Sequence, residues 1–368
     1  MVDQAALAAA RALFDPAPGW AYLDTATDGL PPRPAIELLQ RAQREWQQGQ
    51  ADWTVYDAGI EAARGDFAAL IGASADEVAL HPSFSIGIGL VAASLPAGSQ
   101  VVVAPEEYGS VVWPMLVAAR ARGVVVREAR FDGLADAIRP GTSLVGVSLI
   151  QMHTGRGPDL PAILTAAEAV GARVLVDASQ ALPVVDVAPW ISRIDYLGCA
   201  GYKHLLGPHG TSFFYVRRDR QDSVEPWAAN WVAADVGAGA SYLGGRLLLR
   251  PDAGRFDTTF PRFPWIATAE SVRLVREWHS AGLFADVRRL AARLASLVGV
   301  EPPAGSLVCV PVADEEPALA AVFGARVKAA ARIGHIRFAP HLWSTDADIE
   351  RAARAVAPFV RTKQGRAG

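Results

Sequence analysis

The stretch Arg173–Val216, RVLVDASQALPVVDVAPWISRIDYLGCAGYKHLLGPHGTSFFYV, holds the residues that decide the fold. Its apolar runs RVLVD, YLG and SFFYV are β-branched or aromatic and are separated by turn-rich segments. That pattern predicts strands at Arg173–Asp177, Tyr196–Gly198 and Ser212–Val216. Asp177 ends the first strand, and Lys203 follows the second between Gly201 and Gly207. In a parallel sheet, ligand-binding residues sit just beyond the carboxyl ends of strands. The two glycines leave backbone room for a bulky ligand beside the lysine.

Outward from this stretch, strand patterns at Val101–Ala104, Val124–Arg127 and Leu144–Ile150 alternate with helical patterns such as Val112–Arg122 and Leu160–Val170. Such alternation predicts an α/β fold, a doubly wound and mostly parallel sheet with helices on both faces. After Val216 the pattern loosens, and 219–262 reads as irregular chain with short strands. Helices are expected at Ile266–Ala281 and Leu283–Leu297, and strands at Val308–Val312 and His335–Phe338. A last helix over Ala347–Val360 is capped by Thr345 or Asp346. The expected division is a large domain over 16–260 and a smaller α+β domain built from 1–15 and 261–368.

Composition narrows the function classes. The 368 residues are 51% hydrophobic, enough for a large core, and 35 basic against 38 acidic residues leave no nucleic-acid footprint. The N-terminus, MVDQAALAAARALF, lacks a basic leader and reads as an amphipathic helix rather than a signal peptide. No apolar run reaches the ~18 residues that span a membrane. With two cysteines only, Cys199 and Cys309, a soluble cytoplasmic protein is expected. Lysine is rare, at Lys203, Lys328 and Lys363 alone, so a lysine kept among apolar residues is unlike decoration.

A carboxylate and a lysine so placed suit pyridoxal 5′-phosphate (PLP). The acid keeps the pyridine nitrogen protonated so that the ring acts as an electron sink, and a desolvated lysine forms the Schiff base. Alone, Asp177 would equally be a helix cap and Lys203 a surface residue; their spacing favours the cofactor. Gln180 is placed to reach the cofactor's phenolate oxygen.

The DASQ…GYKHLLGPHG pairing resembles the class V aminotransferase family of fold-type I PLP enzymes. YLDTATDGLPPRP at Tyr22–Pro34, HPSFSIGIGLVAASL at His81–Leu95 and IRFAPHLWSTDADI at Ile336–Ile349 are similar to further motifs of that family, in the same order. The resemblance implies phosphate binding at Phe84 and Ser85. Ala200 and Tyr202 stand where members often have Ser and His, so other donors are needed, Ser83 or Thr259 from a partner subunit. It implies a Tyr108 ring over the pyridine, Gln151 near the cofactor oxygen, and a structural His153. Arg337 takes the role of clamp for the substrate α-carboxylate, with Arg332 the second candidate. A homodimer is implied, and no metal is expected.

For the reaction, the family offers β-elimination, transamination and epimerisation through a Lys203 proton shuttle. A cysteine desulfurase needs a nucleophilic Cys on a mobile loop just before the clamp. Cys309 lies 28 residues upstream of Arg337 in an apolar run, so the expectation is a C–S β-lyase on a cysteine-derived substrate and not a desulfurase. An aminotransferase or epimerase is the alternative, and a catalytically retired binding or regulatory protein a further one. Trp53, Trp227, Trp231, Trp265 and Trp343 suggest an aromatic mouth suited to a larger substrate.

Overall fold

The computed structural model describes residues 2–235 and 246–361. Lys363 and part of the irregular 219–262 stretch lie outside them. The strands are β1 Ala21–Tyr22, β2 Val78–His81, β3 Gln100–Val103, β4 Val125–Glu128, β5 Thr142–Ser148, β6 Arg173–Asp177, β7 Tyr196–Ala200, β8 Ser212–Val216, β9 Val308–Pro311, β10 Val327–Lys328, β11 Ala330–Arg332 and β12 His335–Phe338. The helices are α1 Gln4–Arg11, α2 Arg33–Gln47, α3 Trp53–Ile71, α4 Phe84–Ser94, α5 Gly109–Arg122, α6 Leu134–Ala137, α7 Leu160–Val170, α8 Arg262–Ser280, α9 Phe284–Val298, α10 Glu315–Gly324 and α11 Asp346–Val356.

Seven strands form the main sheet in the order β2-β8-β7-β6-β5-β3-β4. β8 alone runs against its neighbours β2 and β7, and every other pairing is parallel. Apolar side chains of alternating residues supply both faces. Val101, Val103, Leu144, Leu175, Tyr196 and Phe214 pack with α4 and α5. Val102, Val145, Val174, Val176, Leu197 and Phe213 pack with α3, α7 and α8 on the other side. A sheet buried on both faces explains strands that read as unbroken apolar runs. α7 starts on Asp159, whose side chain accepts from the Ala162 N–H, and stops on Gly171 at φ 71°.

β11, β12 and β9 form a separate antiparallel sheet under α9, α10 and α11, and β1 pairs with β10. Thr345 and Asp348 exchange side-chain-to-backbone hydrogen bonds as the capping box of α11. The sequence reading missed β1, β2, β10 and β11, short runs with little periodicity. Phe14 packs on Trp278 and Trp343, while the Arg11 Nε donates to the Leu342 carbonyl. Those contacts join residues 1–15 to the C-terminal part, as the proposed division into 16–260 and 1–15 with 261–368 has it, while α8 itself shares the core of the main sheet. Among the described residues, no helix is long and apolar enough to cross a membrane.

Candidate active site

Asp177 and Lys203 meet at the carboxyl edge of the sheet. Asp177 ends β6 opposite Gly198 of β7, and Lys203 stands three residues past the end of β7. The loop between them and β8 is closed on itself: the Gly201 N–H donates to Thr211 O at 2.9 Å, and the Gly207 N–H to Gly201 O at 2.8 Å. The bracketing glycines have a different reason from the one expected. A Cβ on Gly201 would lie 2.3 Å from Thr211 Oγ1, and one on Gly207 2.2 Å from Thr268 Oγ1, so close packing demands glycine at both. The segment Asp24–Gly29 lies across this loop, tied by the Gly29 N–H to Tyr202 O at 2.8 Å.

Two cavities meet at Lys203, Tyr108, Tyr202 and His209. The first, about 270 Å³, also touches Thr27, Asp28, Met152, Gln180, Arg332 and Arg337. The second, about 220 Å³, reaches Ser83, Phe84, Ser110, Ser179, Ala200 and Gly210. The Lys203 Nζ lies 5.1 Å from the Tyr108 ring centroid and 5.8 Å from that of Tyr202. Tyr202 in turn stacks on His209 with ring centroids 3.7 Å apart, and His209 Nε2 sits 2.7 Å from Asp28 Oδ1. Tyr108 is held through its neighbour. The buried Glu107 carboxylate accepts from the Tyr108 N–H and, on β5, from the Ser148 N–H, both at 2.8 Å.

Burial pushes the Lys203 amine below the usual lysine range; Asp177 opposes this and Arg337 adds to it. Burial likewise raises the Asp177 carboxyl, with Lys203 and the Ser179 N–H working against it. Each group is thus short of a full counter-charge. Arg337 is 2% exposed; its Nη2 donates to Thr27 Oγ1 at 2.8 Å, and its Nη1 is 3.4 Å from Met152 O. Its Nε has no hydrogen-bond partner among the described residues. Burial, and then the Arg332 charge, push this guanidinium below its usual range.

These residues fit the cofactor that the sequence resemblance implies. The buried Asp177 and Lys203 suit the ring nitrogen and the aldehyde, and Tyr108 offers a flat face. The second cavity lies at the N-terminus of α4, where no side chain caps the first-turn amides, and such a terminus suits a phosphate.

Several placements differ from expectation. Ser83, not Ser85, lines the second cavity; the Ser85 hydroxyl hydrogen-bonds that of Ser83 at 2.9 Å. Ser85 is one residue beyond Phe84, which does line the cavity, and one step along a helix turns a side chain by about 100°, enough to move it off the cavity. Gln151 is buried with its Oε1 accepting from Thr154 Oγ1 at 2.6 Å, and Met152 faces the cavity instead. Gln180 does line it, with its amide engaged by Ala26 O and His204 Nε2. Thr259 is exposed, donates to Asn230, and lines neither cavity of its own chain. His153 is buried, and burial lowers its pKa. The aromatic mouth is absent: none of the five tryptophans lines either cavity, and Trp265 and Trp343 are buried in the core. Sequence reasoning missed His209, Asp28, Thr27 and Met152. His209 lies inside the quoted GPHG and Thr27 and Asp28 inside the quoted Tyr22–Pro34 segment, so the motifs were seen without these residues being assigned a role.

The sequence model of the family described as "Aminotransferase class-V" matches residues 22–335. An uncharacterized aminotransferase of Bacillus subtilis (strain 168) is 29% identical over 331 residues, 83% of this chain and 85% of its own. A probable cysteine desulfurase of Methanothermobacter thermautotrophicus is 32% identical over 220 residues, 56% of this chain and 55% of its own. The solved cysteine desulfurase of Thermococcus onnurineus NA1 shares the fold at a TM-score of 0.82 and 19% identity, covering 96% of this chain and 98% of that one. The expectation that ruled out a cysteine desulfurase is therefore corrected, because proteins so named are among both the relatives and the structural neighbours. It rested on the position of Cys309 along the sequence. In the structure Cys309 sits directly across from Arg337 in the β9–β12 register, with burial pushing its thiol up to about 12.

Proposed function

The chain belongs to the class-V aminotransferase family and its cofactor is pyridoxal 5′-phosphate; from that premise we propose that it acts at Cα of an amino acid, cleaving the C–S bond of a cysteine-derived substrate. When bound, the cofactor supplies an electron sink for the charge that develops at Cα. Asp177 holds the proton at the ring nitrogen. Lys203, its ammonium form disfavoured by burial, would hold the cofactor and, as the free amine, would serve as the base for the Cα proton. Tyr108 would cover one ring face and Gln180 would border the substrate side, while Ser83 and the first amides of α4 would take the phosphate.

The observation that carries this reading is Arg337, buried across the same cavity from Lys203 with a free Nε. A planar two-point donor fixes both the position and the rotation of an α-carboxylate, and so selects which Cα bond stands perpendicular to the ring. In support of C–S cleavage, relatives named cysteine desulfurase recur among those that match. Transamination is the second reading, favoured by the relative named an aminotransferase that aligns over 83% of the chain. A product screen separates the two. Keto acid with ammonia from cysteine conjugates supports lyase chemistry, and keto acid only with an aminated acceptor supports transfer. Neither, from a cofactor-loaded protein, overturns both.

A homodimer belongs to this proposal. In support, α5 exposes Trp113, Leu116 and Val117, and a groove of about 630 Å³ separates it from small residues of α4. Sedimentation of an active monomer would exclude it. Two buried, unpaired cysteines support a reducing, cytoplasmic setting.

A further inference from the structure

Arg332 and Arg337 occupy one face of the β11–β12 hairpin. Ala330 pairs with Arg337 and Arg332 with His335, so the two arginines stand at diagonal positions, Cβ atoms roughly 7 Å apart. Both line the first cavity. Like charges at this spacing repel, and Arg332 is itself one cause of the lowered Arg337 pKa. Their partners differ. Arg337 is held by Thr27, Met152 and, at 3.9 Å, Asp24. Arg332 is half-buried, donates only to the neighbouring Ala331 carbonyl, and forms no ion pair among the described residues. The one carboxylate on the cavity wall, Asp28, is already engaged by His209.

We propose that the substrate carries a second anionic group, a carboxylate distal to Cα, which Arg332 binds while Arg337 binds the α-carboxylate. This rests on the amino-acid reading of the same site and names its substrate class. Arg337 lies deep, beside Thr27, and the second arginine of the cavity, Arg332, stands nearer the hairpin turn, half open to water. Arg337 is already oriented by Thr27, Met152 and Asp24, so an α-carboxylate held there leaves Arg332, whose side chain starts ~7 Å away at Cβ, without a carboxylate of its own. A second carboxylate relieves the repulsion between the arginines and gives Arg332 a direct ion pair, since Asp24, the carboxylate within electrostatic reach of it, sits against Arg337.

The test uses the PLP-loaded enzyme and two near-isosteric pairs: L-glutamate with L-glutamine, and S-carboxymethyl-L-cysteine with S-carbamoylmethyl-L-cysteine. Dissociation constants are read from the change in the visible spectrum. The acidic member of each pair should bind at least ~10-fold tighter, as a charge-assisted bond requires. Arg332→Gln should reduce that preference to within about twofold, and Arg332→Lys should keep part of it. Arg337→Gln should weaken both members alike. Equal binding within each pair overturns the inference and leaves the amino-acid reading standing. A preference that survives Arg332→Gln also overturns it. So does an Arg332→Gln variant that loses both members equally, since Arg332 would then hold the α-carboxylate. No spectral change with any of the four overturns the amino-acid reading itself, and the inference with it.

Discussion

The Phe84 ring lies directly over the α-carbon of Gly198, where an added methyl would sit 2.3 Å from the ring edge. Phe84 is the first residue of α4 and Gly198 is the β7 partner of Asp177, so this contact joins the phosphate end of the site to the ring-nitrogen end. Gly198→Ala should therefore displace α4 as well as overpack the core. Overpacking of this kind costs ~1–3 kcal/mol. Urea unfolding should show that loss, and cofactor titration should show PLP affinity at least tenfold weaker. Unchanged affinity would mean that α4 does not position the phosphate.

The lowered Lys203 pKa sets a pH dependence. The neutral amine attacks the aldehyde, so capture of PLP by cofactor-free protein should speed up with pH and level off below the ordinary 10.5 of lysine. Asp177 favours the charged amine, and Asp177→Asn should move the plateau to lower pH. Arg337 disfavours it, and Arg337→Gln should move the plateau to higher pH. Stopped-flow absorbance measures all three profiles. Shifts of the opposite sign would contradict the charges assigned around Lys203.

Asp177→Asn has a second expected consequence. A neutral amide no longer holds the proton at the ring nitrogen, so the variant should fold and retain PLP yet lose at least ~100-fold in kcat, the scale of a lost general acid–base contribution. Near-parental turnover would remove Asp177 from the chemistry.

Away from the site, Arg64 and Asp257 form a buried ion pair at 2.7 Å, and Asp257 also accepts from the Leu80 N–H of β2. The pair ties edge strand β2 to the chain ahead of α8. Asp257→Ala leaves a buried guanidinium without its partner and should cost ~3–5 kcal/mol in urea unfolding. A loss under ~1 kcal/mol would show that Arg64 finds compensation, for which Glu61 at 2.8 Å is the available group.

How much of this was legible in sequence follows from where each residue sits. Asp177 and Lys203 share one stretch of chain and end adjacent strands, so strand pattern and spacing found them together. Arg337 was legible from its motif. Thr27, Asp28 and Gly29 lie in the recognised Tyr22–Pro34 motif but were given no role, because the contact of Gly29 with Tyr202 joins positions far apart in sequence. Gln151 was misplaced by one residue in favour of Met152, since the turn after β5 decides which side chain faces the cavity. The tryptophans failed as a guide because a large aromatic serves the core as well as a mouth: Trp265 meets Phe213 of β8 edge-on in the core against the main sheet. Arg332 was named only as a substitute clamp, and its pairing register is what separates its role from that of Arg337.

The central claim is that Lys203 carries the cofactor, and chemical trapping tests it most directly. The purified yellow protein is reduced with borohydride, digested, and its peptides are mapped by mass spectrometry. The pyridoxyl group should appear on the peptide containing Lys203, and Lys203→Ala should lose both the label and the visible band. A label on Lys328, which is exposed on β10, or on Lys363, with Lys203 unmodified, would contradict the account.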